Sequence, residues 1–160
     1  MEFSHLEFSH LKDDDIRMVD VSEKSETLRT ATAQAVVTMK SDVMEMIISN
    51  RIKKGNVLLT AKTAGIMAAK KTSDMIPLCH NIFITSADIS YELSADKIRV
   101  LSTVSAKSST GVEMEALTAV SIAALTIYDM CKSADKAIEI SGICLLTKTG
   151  GRSGSYIRVI

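Results

Sequence analysis

An α+β domain with helices layered on one face of an antiparallel sheet is predicted by three features of the sequence. Residues 82–93 and 98–106 both alternate apolar with smaller or polar side chains around a turn at Asp96-Lys97, the pattern of an antiparallel hairpin. No glycine or proline interrupts residues 113–132, which read as one long helix. Further strand and helix candidates lie on both sides, so the two types are mixed along the chain.

Taken in order, the chain opens on a duplication, Glu2-Phe3-Ser4-His5-Leu6 and then Glu7-Phe8-Ser9-His10-Leu11, followed by Lys12-Asp13-Asp14-Asp15. It reads as a mobile tail over residues 1–17, ahead of a single domain over residues 18–160. Residues 18–29 start apolar and turn polar, a strand tip running into an exposed loop. Residues 31–39 alternate weakly and predict a strand. Ser41 is placed to cap a helix over 42–49, with Val43, Met46 and Ile47 along one face. A basic turn follows at 50–55, and then a second helix over 58–71, whose Ala61, Ala64, Gly65 and Ala68 suit close packing. Pro77 makes 75–81 an extended or turning connection. Thr110 stands three residues before Glu113, the spacing of a capping box at the start of the long helix. Beyond that helix, 137–146 is a strand candidate, 148–154 a glycine-rich loop and 156–159 a last short strand.

Composition narrows the class. Lys plus Arg equals Asp plus Glu at 19 each, so no global field draws the chain to nucleic acid or to an anionic membrane, and neither is expected as a partner. Cys79, Cys131 and Cys144 contain no CxxC pair and leave one thiol over in any disulfide scheme, which fits a reducing cytoplasm. The longest apolar region, 116–128, carries Thr118, Ser121 and Thr126 and is too short to span a bilayer. The N-terminus lacks a basic flank with an apolar centre, so a soluble, cytoplasmic protein is expected.

Polar residues stand out against this apolar scaffold at Arg29, Lys53-Lys54-Gly55, Cys79-His80 and the two ends of the long helix. Lys54 beside a glycine reads on composition as a solvated turn lysine. Adjacent Cys79 and His80, without a second ligand pair, make a poor tetrahedral zinc site, so no metal is expected there; His80 is equally suited to bind a phosphate or relay a proton. Asp129 and Lys132 are helix neighbours and form an ordinary ion pair unless partly desolvated. In that case burial lowers the amine pKa while the carboxylate raises it, and either can win. Glu113 and Glu115 point about 200° apart, so one can cap while the other faces a site. Glu115 and Asp129 lie about 21 Å apart along the axis, too far to share one small-molecule pocket within one straight helix. One explanation is a two-fold related, antiparallel copy, which would bring those opposite ends together. The loop Gly150-Gly151-Arg152-Ser153-Gly154 lacks P-loop spacing and reads either as an anion cradle or as a flexible turn.

In combination these segments resemble the MoaC family of molybdenum cofactor biosynthesis, the cyclic pyranopterin monophosphate synthases. The resemblance runs from Met18 to about Tyr156 through Met18-Val19-Asp20-Val21-Ser22, Lys54-Gly55, Ala64-Gly65-Ile66-Met67-Ala68-Ala69-Lys70, Ile76-Pro77-Leu78-Cys79-His80, Thr110-Gly111-Val112-Glu113-Met114-Glu115-Ala116-Leu117-Thr118, Ala124-Leu125-Thr126-Ile127-Tyr128-Asp129-Met130-Cys131-Lys132 and the glycine-rich loop. It implies a ferredoxin-like α+β fold, a homohexamer built as a trimer of dimers with sites at the dimer interface, and no redox cofactor. The implied reaction is a lyase step that rearranges a GTP-derived small molecule, 3′,8-cyclo-7,8-dihydroguanosine 5′-triphosphate, to cyclic pyranopterin monophosphate with loss of pyrophosphate. By position, the resemblance assigns catalysis to Asp129, Lys132 and Lys54, and substrate binding to Leu78, Cys79, His80, Met114, Glu115, Glu113 and Arg29. Asn81 stands where the family usually has proline, Ser108-Ser109 where Lys-Thr is usual, and Arg152 where lysine is commoner. A non-catalytic oligomeric nucleotide- or pterin-binding protein is the rival reading, and a helix serving only as an oligomer core is a third. Lys54, Asp129 and Lys132 together weigh against the first of these, and the polar helix ends against the second.

Overall fold

Five strands form the antiparallel sheet that carries the molecule, in the spatial order β4-β5-β3-β6-β7, where β3 is Thr27–Thr38, β4 Ser86–Leu93, β5 Lys97–Ser108, β6 Glu139–Thr149 and β7 Tyr156–Ile157. Four helices accompany it: α1 (Ser41–Ile48), α2 (Val57–Ala69), α3 (Thr72–Met75) and α4 (Glu113–Cys131). The arrangement is an α+β fold with an antiparallel sheet, as the sequence predicts, and ferredoxin-like, as the family resemblance implies. The computed structural model describes residues 11–12, 15–152 and 154–159. Apart from Leu11, the duplicated segment 2–11 lies outside them; Leu11–Lys12 (β1) pairs with Asp15–Ile16 (β2) as a separate two-stranded ladder.

Strand alternation decides which face is covered. Ala31, Ala33, Ala35 and Val37 of β3 and Ile98, Val100, Ser102, Val104 and Ala106 of β5 are buried on the helix side, each flanked by residues that are not. Full burial of each such Val or Ile stabilises the fold by about 1.5–3 kcal/mol. Small side chains on β3 leave room for α4, which lies across the sheet with Ala116, Val120, Ala123, Ala124 and Ile127 fully buried. Ser102 Oγ donates to the Ala116 carbonyl at 2.8 Å, which satisfies the buried hydroxyl and pins helix to strand. On length and apolarity the whole of α4 matches a membrane span, beyond its central apolar stretch alone, but here it is the core helix.

The second helix packs on the fourth through its small residues. A side chain at Gly65 would put Cβ 2.9 Å from the Ala119 carbonyl oxygen and 3.1 Å from Ile89, so only glycine permits this backbone approach. Ala61 and Ala68 are buried with it, whereas Ala64 is half-buried.

Several boundaries differ from the sequence reading, each for a local reason. No strand forms at Met18; β3 starts at Thr27, ahead of the expected 31, because β5 is long enough to pair with it up to Ser108. Ser41 is the first helical residue of α1 and not its cap; the orphan amides there are met by carboxylates, Asp42 Oδ1 accepting from Val43 N and Asp135 Oδ2 from Lys40 N. Asn56 caps α2, its Oδ1 accepting from Leu59 N at 2.9 Å. That helix stops at Ala69, and the short α3 follows it. The hairpin β4-β5 is formed, but β4 begins at Ser86; Thr85 still bonds the Ser105 carbonyl of β5, and Ile82 lines the cavity described below. β6 runs later than expected, to Thr149, and β7 covers only Tyr156–Ile157. The capping box of α4 is absent: Val112 occupies the cap position without a side-chain bond, and Glu113 turns to Lys148.

Candidate active site

The start of α4 opens into a cavity of about 810 Å³, within the usual range for small-molecule sites. Four chain segments meet there, residues 19–29, 78–82, 109–115 and 151–152, because the start of β3 lies beside the end of β5 and the turn after β6 comes in next to them. All seven residues assigned to substrate binding line it: Arg29 from β3, Leu78, Cys79 and His80 from the connection after Pro77, and Glu113, Met114 and Glu115 from α4. Lys24 and Arg152 add two more cations, and the stretch 19–25 forms one wall. Lys24 reads from the residues around it as an ordinary loop lysine.

Each polar group has a defined environment. His80 Nε2 lies 2.8 Å from the Val19 carbonyl, and because a carbonyl only accepts, this bond places a proton on Nε2. Arg29 donates through Nε to the Ser108 carbonyl at 3.2 Å and through Nη2 to the Ser109 carbonyl at 3.3 Å, which fixes the plane of the guanidinium. Lys148 Nζ sits 3.3 Å from Glu113 Oε1. Glu115 is 3 % exposed. Burial raises its carboxyl pKa above the ordinary glutamate value, a bond from its own amide opposes this, and the Glu113 charge adds to the rise. Burial likewise pushes the Cys79 thiol up, and Glu115 pushes it further, so Cys79 is held as a thiol rather than a nucleophilic thiolate.

A pH prediction follows from Glu115. The folded protein holds this proton more tightly than the unfolded chain, so the contribution to stability falls as pH rises from the ordinary glutamate range through the raised value. Glu115→Gln is expected to flatten that fall and to match or exceed the wild-type stability at neutral pH. Urea unfolding midpoints taken at several values between about pH 5 and pH 8 test it; an unchanged slope in the variant refutes it.

At the other end of α4 a second cluster forms. Lys54 Nζ donates to Asp129 Oδ2 at 2.9 Å and to the Asp129 carbonyl at 2.6 Å, while Lys132 Nζ lies 2.7 Å from Asp129 Oδ1. The turn before α2 thus delivers Lys54 to a helix 75 residues further on. All three side chains are about half exposed, at 45 %, 57 % and 52 % for Lys54, Asp129 and Lys132. The bonds from Lys132 and then Lys54 hold the Asp129 carboxyl down at about 2, so it is ionised throughout the neutral range. The Lys132 amine is raised by Asp129, which outweighs the opposing effect of burial. Of the two opposed effects on this lysine, the carboxylate wins. Asp129, Lys132 and Lys54 lie outside the cavity, about 21 Å along α4 from Glu115. Among the described residues no three His, Cys, Asp or Glu side chains converge as a metal site would require.

Fold and geometry together define an α+β domain with a cavity of small-molecule size at one end of its core helix and a Lys–Asp–Lys ion-pair cluster at the other. The chain belongs to the MoaC family, whose model matches residues 18–151. It is 52% identical over 154 residues to the cyclic pyranopterin monophosphate synthase of Peptoclostridium acidaminophilum, covering 96% of this chain and 98% of that protein. It is 55% identical over 146 residues to the synthase of the same name from Thermoanaerobacter pseudethanolicus strain ATCC 33223 / 39E, covering 90% of this chain and 92% of the relative. Against that of Staphylococcus carnosus strain TM300 the identity is 50% over 156 residues, covering 95% and 97%.

Proposed function

We propose that the chain is the lyase of molybdenum cofactor biosynthesis that converts 3′,8-cyclo-7,8-dihydroguanosine 5′-triphosphate to cyclic pyranopterin monophosphate and pyrophosphate. The observation that carries this reading is the near-complete coverage, at about half identity, of relatives bearing that synthase name. The geometry supports it. Opening the purine-derived ring and reclosing it as a pterin moves protons at nitrogen and carbon, work for the Lys54, Asp129 and Lys132 cluster. Closing the cyclic phosphate expels pyrophosphate, whose charge Arg29, His80 and Arg152 stabilise in the cavity, while Leu78, Cys79, Glu113, Met114 and Glu115 hold the heterocycle.

The active species in this reading is a cytoplasmic homohexamer, a trimer of dimers, in which a two-fold partner sets its Lys54, Asp129 and Lys132 cluster against the cavity of its neighbour. The axial separation within one chain supports it, as do exposed apolar side chains such as Leu28, Leu59 and Leu125. Residues 18–160 act as the single catalytic domain. Incubating purified protein with the cyclised dihydro-GTP and measuring released pyrophosphate tests the activity; its absence rejects the reading and leaves a binding protein. Light scattering tests the assembly.

A further inference from the structure

We propose that Gly151 is the positioning residue for Arg29, acting through the guanidinium and not on the substrate itself. This rests on the proposed activity only for its kinetic readout. Arg29 is held along one edge of its guanidinium by the Ser108 and Ser109 carbonyls, and the turn after β6 passes close to Nη1. Gly150 and Gly151 sit at φ +93° and +81°, which side chains rarely adopt. A Cβ on Gly151 would lie 2.5 Å from Arg29 Cζ and closer still to Nη1. One on Gly150 would overlap the Leu28 carbonyl oxygen and approach Arg29 Cδ at 3.1 Å. The guanidinium is thus bonded to two carbonyls in its own plane and hemmed in at Nη1 by bare backbone, with both Arg29 and Gly151 on the cavity wall. An arginine held in one plane presents a preset fork to a phosphate oxygen pair, and a small displacement of that fork loses the second bond.

The test is a cycle of Gly151→Ala with Arg29→Ala, read by the KM for the cyclised dihydro-GTP and, without any turnover, by calorimetric binding of inorganic pyrophosphate. Gly151→Ala alone is expected to weaken both by about tenfold or more, the scale of one charge-assisted bond. In the Arg29→Ala background the same change should add nothing, since the group it displaces is gone. Gly154→Ala imposes the same backbone requirement at φ +66° with nothing near its Cβ, and it should cost clearly less. Equal losses with and without Arg29, equal losses at positions 151 and 154, or no pyrophosphate binding by the wild type would each overturn the proposal. Should Gly151→Ala not fold, the cycle is read on folded yield: recovery on removing Arg29 supports it, and continued loss overturns it. Wild-type protein that binds pyrophosphate yet releases none from the substrate defeats the proposed activity but not this inference.

Discussion

Lys132→Ala and Lys54→Ala are each expected to lower pyrophosphate release by about 10²–10⁴-fold, the contribution of a positioned acid or base. Both lysines donate to one carboxylate, on separate oxygens, so removing either leaves Asp129 ionised by the other but takes away one of the two movable protons. The fold should survive, because a half-exposed cluster is screened by water and adds little to stability. The Asp129 contribution that does exist has the sign of a depressed acid: present above the ordinary aspartate value and lost as pH falls toward about 2. Single-turnover pyrophosphate release and a melting curve on each variant check the two halves together. Near-normal release from either alanine variant rejects its catalytic role.

Ile127→Ala is expected to cost about 2–5 kcal/mol, a large fraction of the roughly 5–15 kcal/mol that holds a domain together. Ile127 is fully buried where the last turns of α4 cross the sheet, two residues before Asp129. Truncation leaves a void that a helix packed through alanines cannot close by shifting inward, since Ala123 and Ala124 are themselves fully buried in the same core. Urea denaturation measures the loss; a change under about 1 kcal/mol refutes this packing.

How much of this was legible beforehand depends on the range of the interaction. The burial of β3 and β5 followed the written alternation almost residue by residue, because a period of two is a local property. The long helix was equally plain, and so was the contact of Asp129 with Lys132. Helix ends were less so. Thr110 and Glu113 have the spacing of a capping box, yet Glu113 found a lysine 35 residues away, while the side chain that does cap a helix is Asn56, and the first amides of α1 turn to Asp42 and the distant Asp135, which spacing alone does not rank. Lys54 carried no local mark of its meeting with Asp129; only the family resemblance pointed to it. Lys24 was invisible as a cavity group for the same reason, and Gly151, though its loop could be read as an anion cradle, carried no mark of its approach to Arg29.

The strand order has a consequence for synthesis on the ribosome. β3 is made first among the five strands yet sits in the middle, its Thr27 waiting for Ser108 and its Thr30 for Thr149. Until the final third of the chain has emerged, one of its two hydrogen-bonding rims is bare, so the nascent molecule passes through a prolonged stage open to pairing with strangers. Threonines along β3, rather than a continuous valine and isoleucine run, keep that waiting rim from being greasy as well as unsatisfied.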